Sequence, residues 1–243
     1  MKRPLTRPFF VVNPKAYLYG KQALELAKVA DEAAERAGID VLFTVQHVDA
    51  AMIRQATKHL FVTVQHLDGI EVGRGMGYIL PEALAEAGVD AVFLNHAEHQ
   101  MELGALVKAI HRAKEVGILT IVCADSLEEA QAVAMLGPDI MVCEPTALIG
   151  TGEASGDEYK LATNQAVRAI DPTIYMLQAA GISTVDDVEA TFRTGADGTG
   201  GTSGIVCAED PAAIMREMIA KVAEFKGKQG ANEMCEETAD ANL

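Results

Sequence analysis

The sequence predicts one α/β domain built as a (β/α)₈ barrel, and three observations lead there. Short runs of residues are apolar along their whole length, each is followed by a longer amphipathic stretch, and eight such units fit into 243 residues. A strand that is apolar on both faces has to be covered on both faces, which a parallel sheet flanked by helices achieves. Closed barrels of this kind run to about 250 residues as a single domain, so eight units in this length favour closure over an open sheet.

The elements follow in order. Phe9–Asn13 (FFVVN) reads as the first strand, and Gly20–Ala37 carries Ala, Leu, Glu and Lys at helical spacing. Strands are expected over Asp40–Val45 and Leu60–Gln65, with a helix at Ala50–Thr57 between them. Pro81 opens a helix over Pro81–Ala87, proline being well tolerated in a first turn. Strands at Ala91–Asn95 and Ile118–Cys123 flank a helix at Met101–Val116. Ser126 and Glu129 form a capping-box pattern at the start of a helix over Ser126–Leu136. Asp139–Cys143, Thr173–Gln178 and Ala196–Thr202 complete the strands, followed by helices at Asp157–Ala169, Val185–Thr194 and Pro211–Lys226. The strings ERAGID, AEAGVD, KEVGIL and AMLGPD place Gly38, Gly88, Gly117 and Gly137 where a helix ends, a position that favours a left-handed residue. The barrel is thus expected over residues 1–226. Residues 227–243, rich in Gly, Asn, Glu and Asp, read as a solvated, disordered acidic tail.

Composition narrows the function. A formal net charge of −15 argues against nucleic acid and against anionic membrane surfaces, both of which need a basic face. An acidic protein can still hold an anionic metabolite through backbone donors and a few placed cations. The four cysteines, Cys123, Cys143, Cys207 and Cys235, lack metal-ligand spacing, so no metal is expected; Cys123 and Cys143 end apolar runs and read as buried thiols. No run approaches the roughly 18 apolar residues of a membrane span, and no signal-peptide core follows the N-terminus; a cytoplasmic protein is expected.

Catalytic groups of such barrels sit at the C-terminal ends of the strands. That rule selects Asn13 and Lys15 after the first strand, Gln65 and His66 after the third, and Asn95 and His96 after the fourth. Glu144 ends the sixth, Gly181 and Ser183 follow the seventh, and Thr202, Ser203 and Gly204 follow the eighth. One cation, one imidazole and one carboxylate project from the same rim. His47, His59, His99 and His111 have no such placement and read as structural or surface residues.

These residues carry a resemblance. NPKAY (Asn13–Tyr17), QHLD (Gln65–Asp68), LNHAEH (Leu94–His99), EPTALIGTG (Glu144–Gly152) and AAGIS (Ala179–Ser183) stand in the order found in the triose-phosphate isomerase family. The chain is most similar to its compact archaeal branch, from about Phe9 to Lys226, and Glu-Pro-x₃-Ile-Gly-Thr-Gly is the most specific element. The resemblance implies aldose–ketose isomerisation through an enediol, between glyceraldehyde 3-phosphate and dihydroxyacetone phosphate, in glycolysis and gluconeogenesis and without a cofactor. Glu144 would be the base, His96 the neutral electrophile on the carbonyl oxygen (a role for which this family is itself the standard illustration), and Lys15 the stabiliser of oxyanion and phosphate charge. Asn13, Gly150, Gly181, Thr202 and Ser203 would bind substrate, the last four as donors to its phosphate. Gly150-Thr151-Gly152 would belong to a closing lid hinged near Glu144 and Pro145. Glu98 would orient the site or join an ion-pair network, Asn95 would bond near Lys15 and His96, and Cys123 would pack. The partner would be a phosphorylated small sugar. A homodimer or homotetramer would form through the loop at residues 68–78.

Four departures bear on substrate. Ala97 replaces a serine beside the base, Met76 a threonine that reaches across the subunit interface, and Ala179 a glycine. Gly200 falls where a leucine clamps the catalytic glutamate together with the lid residue Ile149, so a space beside Glu144 and a hydrated, weaker base are expected. That space admits an alternative, a paralogue isomerising a larger, four-carbon sugar phosphate. A catalytically silent phosphate-binding barrel is a second alternative. A metal-dependent aldolase would need a His/Asp cluster at the strand ends, and a Schiff-base aldolase a lysine in the sixth strand or its neighbours; neither pattern is present.

Overall fold

The structure, a computed structural model, describes residues 3–145 and 156–226. Eight parallel strands close on themselves in sequence order: β1 (Phe9–Val12), β2 (Asp40–Val45), β3 (Leu60–Val64), β4 (Ala91–Leu94), β5 (Leu119–Ala124), β6 (Ile140–Cys143), β7 (Tyr175–Gln178) and β8 (Gly198–Gly201). The barrel closes where β8 pairs with β1, Gly198 opposite Phe9 and Gly201 opposite Val12. Around it run α1 (Gly20–Ala37), α2 (Ala50–Ala56), α3 (Pro81–Glu86), α4 (Leu103–Glu115) and α5 (Leu127–Ala134). They are followed by α6 (Asp157–Ile170), α7 (Val185–Arg193), α8 (Ser203–Val206) and α9 (Pro211–Ala223). Two short elements escape the sequence reading, a 3₁₀ turn at His47–Asp49 and α8. Neither is long enough to show a period.

The period of two along each strand divides the core into two layers. Phe9, Val11, Leu42, Phe61, Phe93 and Ile121 point inward and fill the barrel with Val142 and Leu177. Phe10, Val12, Val41, Phe43 and Met176 point outward and pack against the helices, meeting Leu26, Ile53, Ile110, Val133 and Met218. Cys123 and Cys143 are buried free thiols, as expected for the ends of apolar runs.

Gly38, Gly88, Gly117 and Gly137 all have positive φ, from 63° to 81°, as helix stops require. Three of them, and Gly195, are followed two residues later by an aspartate whose use the sequence reading missed. Asp40 accepts from the Thr6 N–H, Asp90 from that of Val62, Asp139 from that of Thr120 and Asp197 from that of Met176. Asp40, Asp90 and Asp197 also pair with Arg3, with Arg54, and with Arg7 and Arg168 respectively. Each carboxylate satisfies a backbone donor in or shortly before a strand towards the barrel's N-terminal rim, the end away from Lys15, His96 and Glu144. The Ser126 cap forms as expected, its Oγ accepting from the Glu129 N–H, but Glu129 returns its bond to the Asp125 N–H instead of Ser126.

Candidate active site

At the C-terminal rim a cavity of about 150 Å³ opens between the ends of β1, β4, β6, β7 and β8. Asn13, Lys15, His96, Glu144, Gly181, Thr202 and Ser203 all line it, so seven of the eight residues expected to catalyse or to bind substrate meet in one place. Gly150, with the rest of the expected lid (Ile149, Thr151 and Gly152), lies outside the described residues. So does the acidic tail.

Lys15 is set by its backbone before its side chain acts. It has φ 47°, a left-handed conformation that is rare for a residue with a long side chain. Three side chains hold it there. Asn13 Oδ1 accepts from the Lys15 N–H at 3.0 Å, while Gln46 and Gln65 donate to its carbonyl oxygen at 3.1 and 2.7 Å. The ammonium then meets Glu98 Oε1 at 2.9 Å. Gln46 escaped the sequence reading, and Gln65 was noted only for its place on the rim. A strand-end glutamine gives no sign that it will grip a neighbouring backbone.

His96 has its tautomer fixed by its own loop. The Glu98 N–H donates to His96 Nδ1 at 3.1 Å, so Nδ1 is the bare nitrogen and Nε2 carries the proton. Burial lowers the imidazole's affinity for a second proton, the Lys15 charge lowers it further, and Glu98 only partly opposes them. The ring is therefore neutral at pH 7 and offers an N–H. Asn95, expected as a hydrogen-bond partner near Lys15 and His96, makes its bonds to backbone groups beside them. Its amide donates to the Cys123 carbonyl at 3.1 Å and accepts from the Met101 N–H at 3.0 Å, so it braces β4 against β5 from a left-handed backbone.

Glu144 follows β6 directly, and its N–H donates to the Ala124 carbonyl at 3.0 Å. Burial pushes its carboxyl up to about 7, while the Lys15 ammonium and the Ala179 N–H act in the opposite direction. Val11, Cys123, Val142 and Leu177 supply the apolar and thiol wall of the cavity. Cys123 stays neutral there, since burial and the nearby Glu144 push its thiol well above the ordinary range.

Gly200 corrects the expectation built on it. A Cβ at that position would stand 2.3 Å from the Val11 carbonyl oxygen and 2.7 Å from Val11 Cβ. The β1–β8 seam is drawn too tight for any side chain there, so no leucine-sized space is left open. Burial and not hydration governs Glu144, and the larger-sugar alternative loses its ground.

Opposite Glu144 the wall changes to backbone. Gly181, with φ 69°, Ser183, Thr202 and Ser203 line it, and Thr202 immediately precedes the short α8. The loop from β7 is pinned by a complete capping box, in which Asp187 accepts from the Thr184 N–H at 2.8 Å and Thr184 Oγ1 accepts from the Asp187 N–H at 3.2 Å. Asp187 also accepts from the Ser183 N–H at 3.0 Å. A base, a neutral hydrogen-bond donor and a cation thus face a pinned, backbone-rich wall, an arrangement suited to proton abstraction next to a carbonyl on a small anion.

Comparison with known proteins agrees with this geometry. A family model described as Triosephosphate isomerase matches residues 8–218. The triosephosphate isomerase of Methanobacterium bryantii is 36% identical over 220 residues, covering 88% of this chain and 97% of the relative. That of Methanocaldococcus jannaschii is 36% identical over 214 residues, covering 86% and 97%. That of Sulfolobus acidocaldarius is 32% identical over 229 residues, covering 92% and 98%. With a matching family model and archaeal relatives along nearly its whole length, the chain belongs to the triosephosphate isomerase family.

Proposed function

We propose that the chain interconverts glyceraldehyde 3-phosphate and dihydroxyacetone phosphate by proton transfer through an enediol, with Glu144 as the base. The observation that carries the assignment is the pairing of Glu144, its carboxyl near 7, with a neutral His96 in one cavity. A base titrating close to the working pH combines a useful ionised fraction with good driving force for taking a proton. It removes a proton from the carbon next to the carbonyl and returns it to the neighbouring carbon. The His96 Nε2–H bonds the carbonyl oxygen as negative charge grows there, and Lys15 stabilises that charge and the phosphate. Asn13 holds Lys15 in place, and Gly181, Thr202 and Ser203 supply the phosphate wall. Gly150 is assigned to the same phosphate from its motif.

The test is turnover of each triose phosphate, followed with a coupled dehydrogenase, in the native chain and in Glu144→Gln. Loss of about 10²–10⁴-fold in kcat with phosphate-ligand binding retained is expected. Equal rates in the two proteins would remove Glu144 from the mechanism. A native chain that binds but turns over neither triose phosphate would restore the silent-barrel reading.

The same reading includes a homo-oligomer, a homodimer or homotetramer, in the cytoplasm. Val72, Met76 and Tyr78 are exposed in the loop at residues 68–78, and Met76 is fully so. A cavity of about 560 Å³ lined by Lys15, Tyr17, Gln65, His66 and His99 lies beside the active site, open to a second copy. We assign residues 1–226 to the catalytic barrel and residues 227–243 to an acidic extension of it.

A further inference from the structure

His66, on the rim after β3, takes no part in the chemistry above. Its ring lies stacked on that of His99, with centroids 4.4 Å apart and planes 25° from parallel. His66 is the fixed member of the pair. It is buried, its Nε2–H donates to Asp68 Oδ1 at 3.3 Å, and its carbonyl accepts from His47 Nε2 at 2.7 Å. Asp68 is held in turn, its Oδ2 accepting from the Ile79 N–H at 2.6 Å. Burial lowers the affinity of His66 for a second proton, with Asp68 in opposition, so the ring under the stack is neutral at pH 7.

His99 is the exposed member, and it closes the turn that carries His96. The His99 N–H donates to the His96 carbonyl at 2.7 Å, and the two residues form an isolated antiparallel bridge. Between them the Glu98 N–H fixes the His96 tautomer, and the Glu98 carboxylate meets Lys15. Asn95 ties the front of this turn to β5. The far end rests on the His66 ring. A turn tied at its front alone would swing, and the imidazole, the N–H that sets its tautomer and the partner of Lys15 would swing with it.

We propose that His66 is a positioning residue for the reaction and acts through His99: the stacked pair holds the turn at residues 96–99 so that the His96 Nε2–H meets the substrate's carbonyl oxygen. The proposal rests on the isomerase reading above. Neither ring takes or gives a proton in it; the pair supplies a surface and not a charge. Misplacing a catalytic group by about 1 Å can cost on the order of 10²-fold in rate, so a ring contact outside the reaction cavity can govern kcat. The phosphate wall is built from the residues that follow β7 and β8, apart from this turn, and ground-state binding does not depend on the stack.

The experiment compares the full chain with His99→Ala and His99→Phe, substitutions at the exposed ring that spare the buried one. The mass of each is followed by light scattering, because His66 and His99 also line the cavity beside Lys15. His99→Ala should lose about 10- to 100-fold in kcat, with KM for either triose phosphate changed by less than about threefold. His99→Phe, which restores a ring without a titratable nitrogen, should recover to within about threefold of the native kcat. Nitrogen NMR should show His96 as the single Nε2–H tautomer in the native chain and in His99→Phe, and as a mixture in His99→Ala. An unchanged kcat and tautomer in His99→Ala overturn the proposal, and so does a phenylalanine variant as impaired as the alanine one. A loss of kcat that tracks a loss of mass would make the stack an assembly contact and overturn it as well. A native chain without turnover, its His96 tautomer still sensitive to His99→Ala, would overturn the isomerase reading instead and uphold the hold of the stack on His96.

Discussion

Glu144 and His96 divide the titration of the site between them. Burial raises the carboxyl from 4.5 to about 7 and moves the imidazole below 6.5, so only the glutamate changes charge near neutral pH. The expected kcat/KM profile rises with pH through a single limb near 7 and then levels. A limb near 4.5 would show that the carboxylate is solvated when substrate arrives. The same shift carries a stability consequence of definite sign. A group whose folded pKa is raised favours the folded state below its unfolded pKa, and that contribution is lost as pH rises through the folded value. The native chain should therefore lose denaturant resistance relative to Glu144→Gln between about pH 4.5 and 7, measured by chemical unfolding at both ends of that window. At this scale the sequence was legible wherever placement follows strand position: Lys15, His96 and Glu144 meet in one cavity because each follows the end of a strand. It was illegible wherever function follows the path of another backbone. Gln46, Gln65 and the Ala179 N–H act on groups far from them in sequence, and Gly200 is tight only because β1 lies against it.

Among the elements, the eight strands and all but one of the longer helices were readable to within a residue or two from their apolar periods, while α9 ends at Ala223, three residues before the expected Lys226. The helix-stop strings were read for their glycines, and their aspartates were passed over. The signal was present: Asp40, Asp90, Asp139 and Asp197 each open or immediately precede a strand, an awkward place for a charge unless something there needs an acceptor. Asp197 is the most heavily used, with Arg7 at 3.1 Å, Arg168 at 3.0 Å and the Met176 N–H at 2.8 Å around a nearly buried carboxylate. Removing one member of a buried pair costs about 3–5 kcal/mol, and the low end applies because both arginines keep a solvent-facing side. Asp197→Ala is thus expected to lower Tm by about 6–12 °C, at roughly 2–4 °C per kcal/mol for a domain of this size. Its KM for triose phosphate should barely move, because the residue lies at the rim opposite the chemistry. A large KM change in calorimetrically intact protein would contradict that separation.

For the whole molecule, the proposed homo-oligomer would give the exposed loop and the cavity beside Lys15 a shared role. Met76 is fully exposed, an unusual setting for a methionine unless an apolar surface covers it. Met76→Glu should shift the mass seen by light scattering towards the monomer and reduce activity in parallel; unchanged mass would place the contact elsewhere. The closing strand has a consequence for how the barrel is assembled. β8 reads Gly-Thr-Gly-Gly, so it brings almost no side-chain attraction to its own docking, and its clasp with β1 joins Arg7 to Asp197 across 190 residues of chain. Contacts so distant in sequence carry a high loop-closure cost and form after local ones. The arc from β2 to β7 should consequently gather first, and the ring should shut last, with the phosphate wall at Thr202 completed only then. Native-state hydrogen exchange would reveal that order: the amides of Phe9 and Asn13, bonded across the seam to Asp197 and Gly201, should exchange through a smaller opening than those of β3 and β4. Uniform protection around the ring would mean that it opens all at once. In this molecule, completing the catalytic rim and completing the fold would be one event.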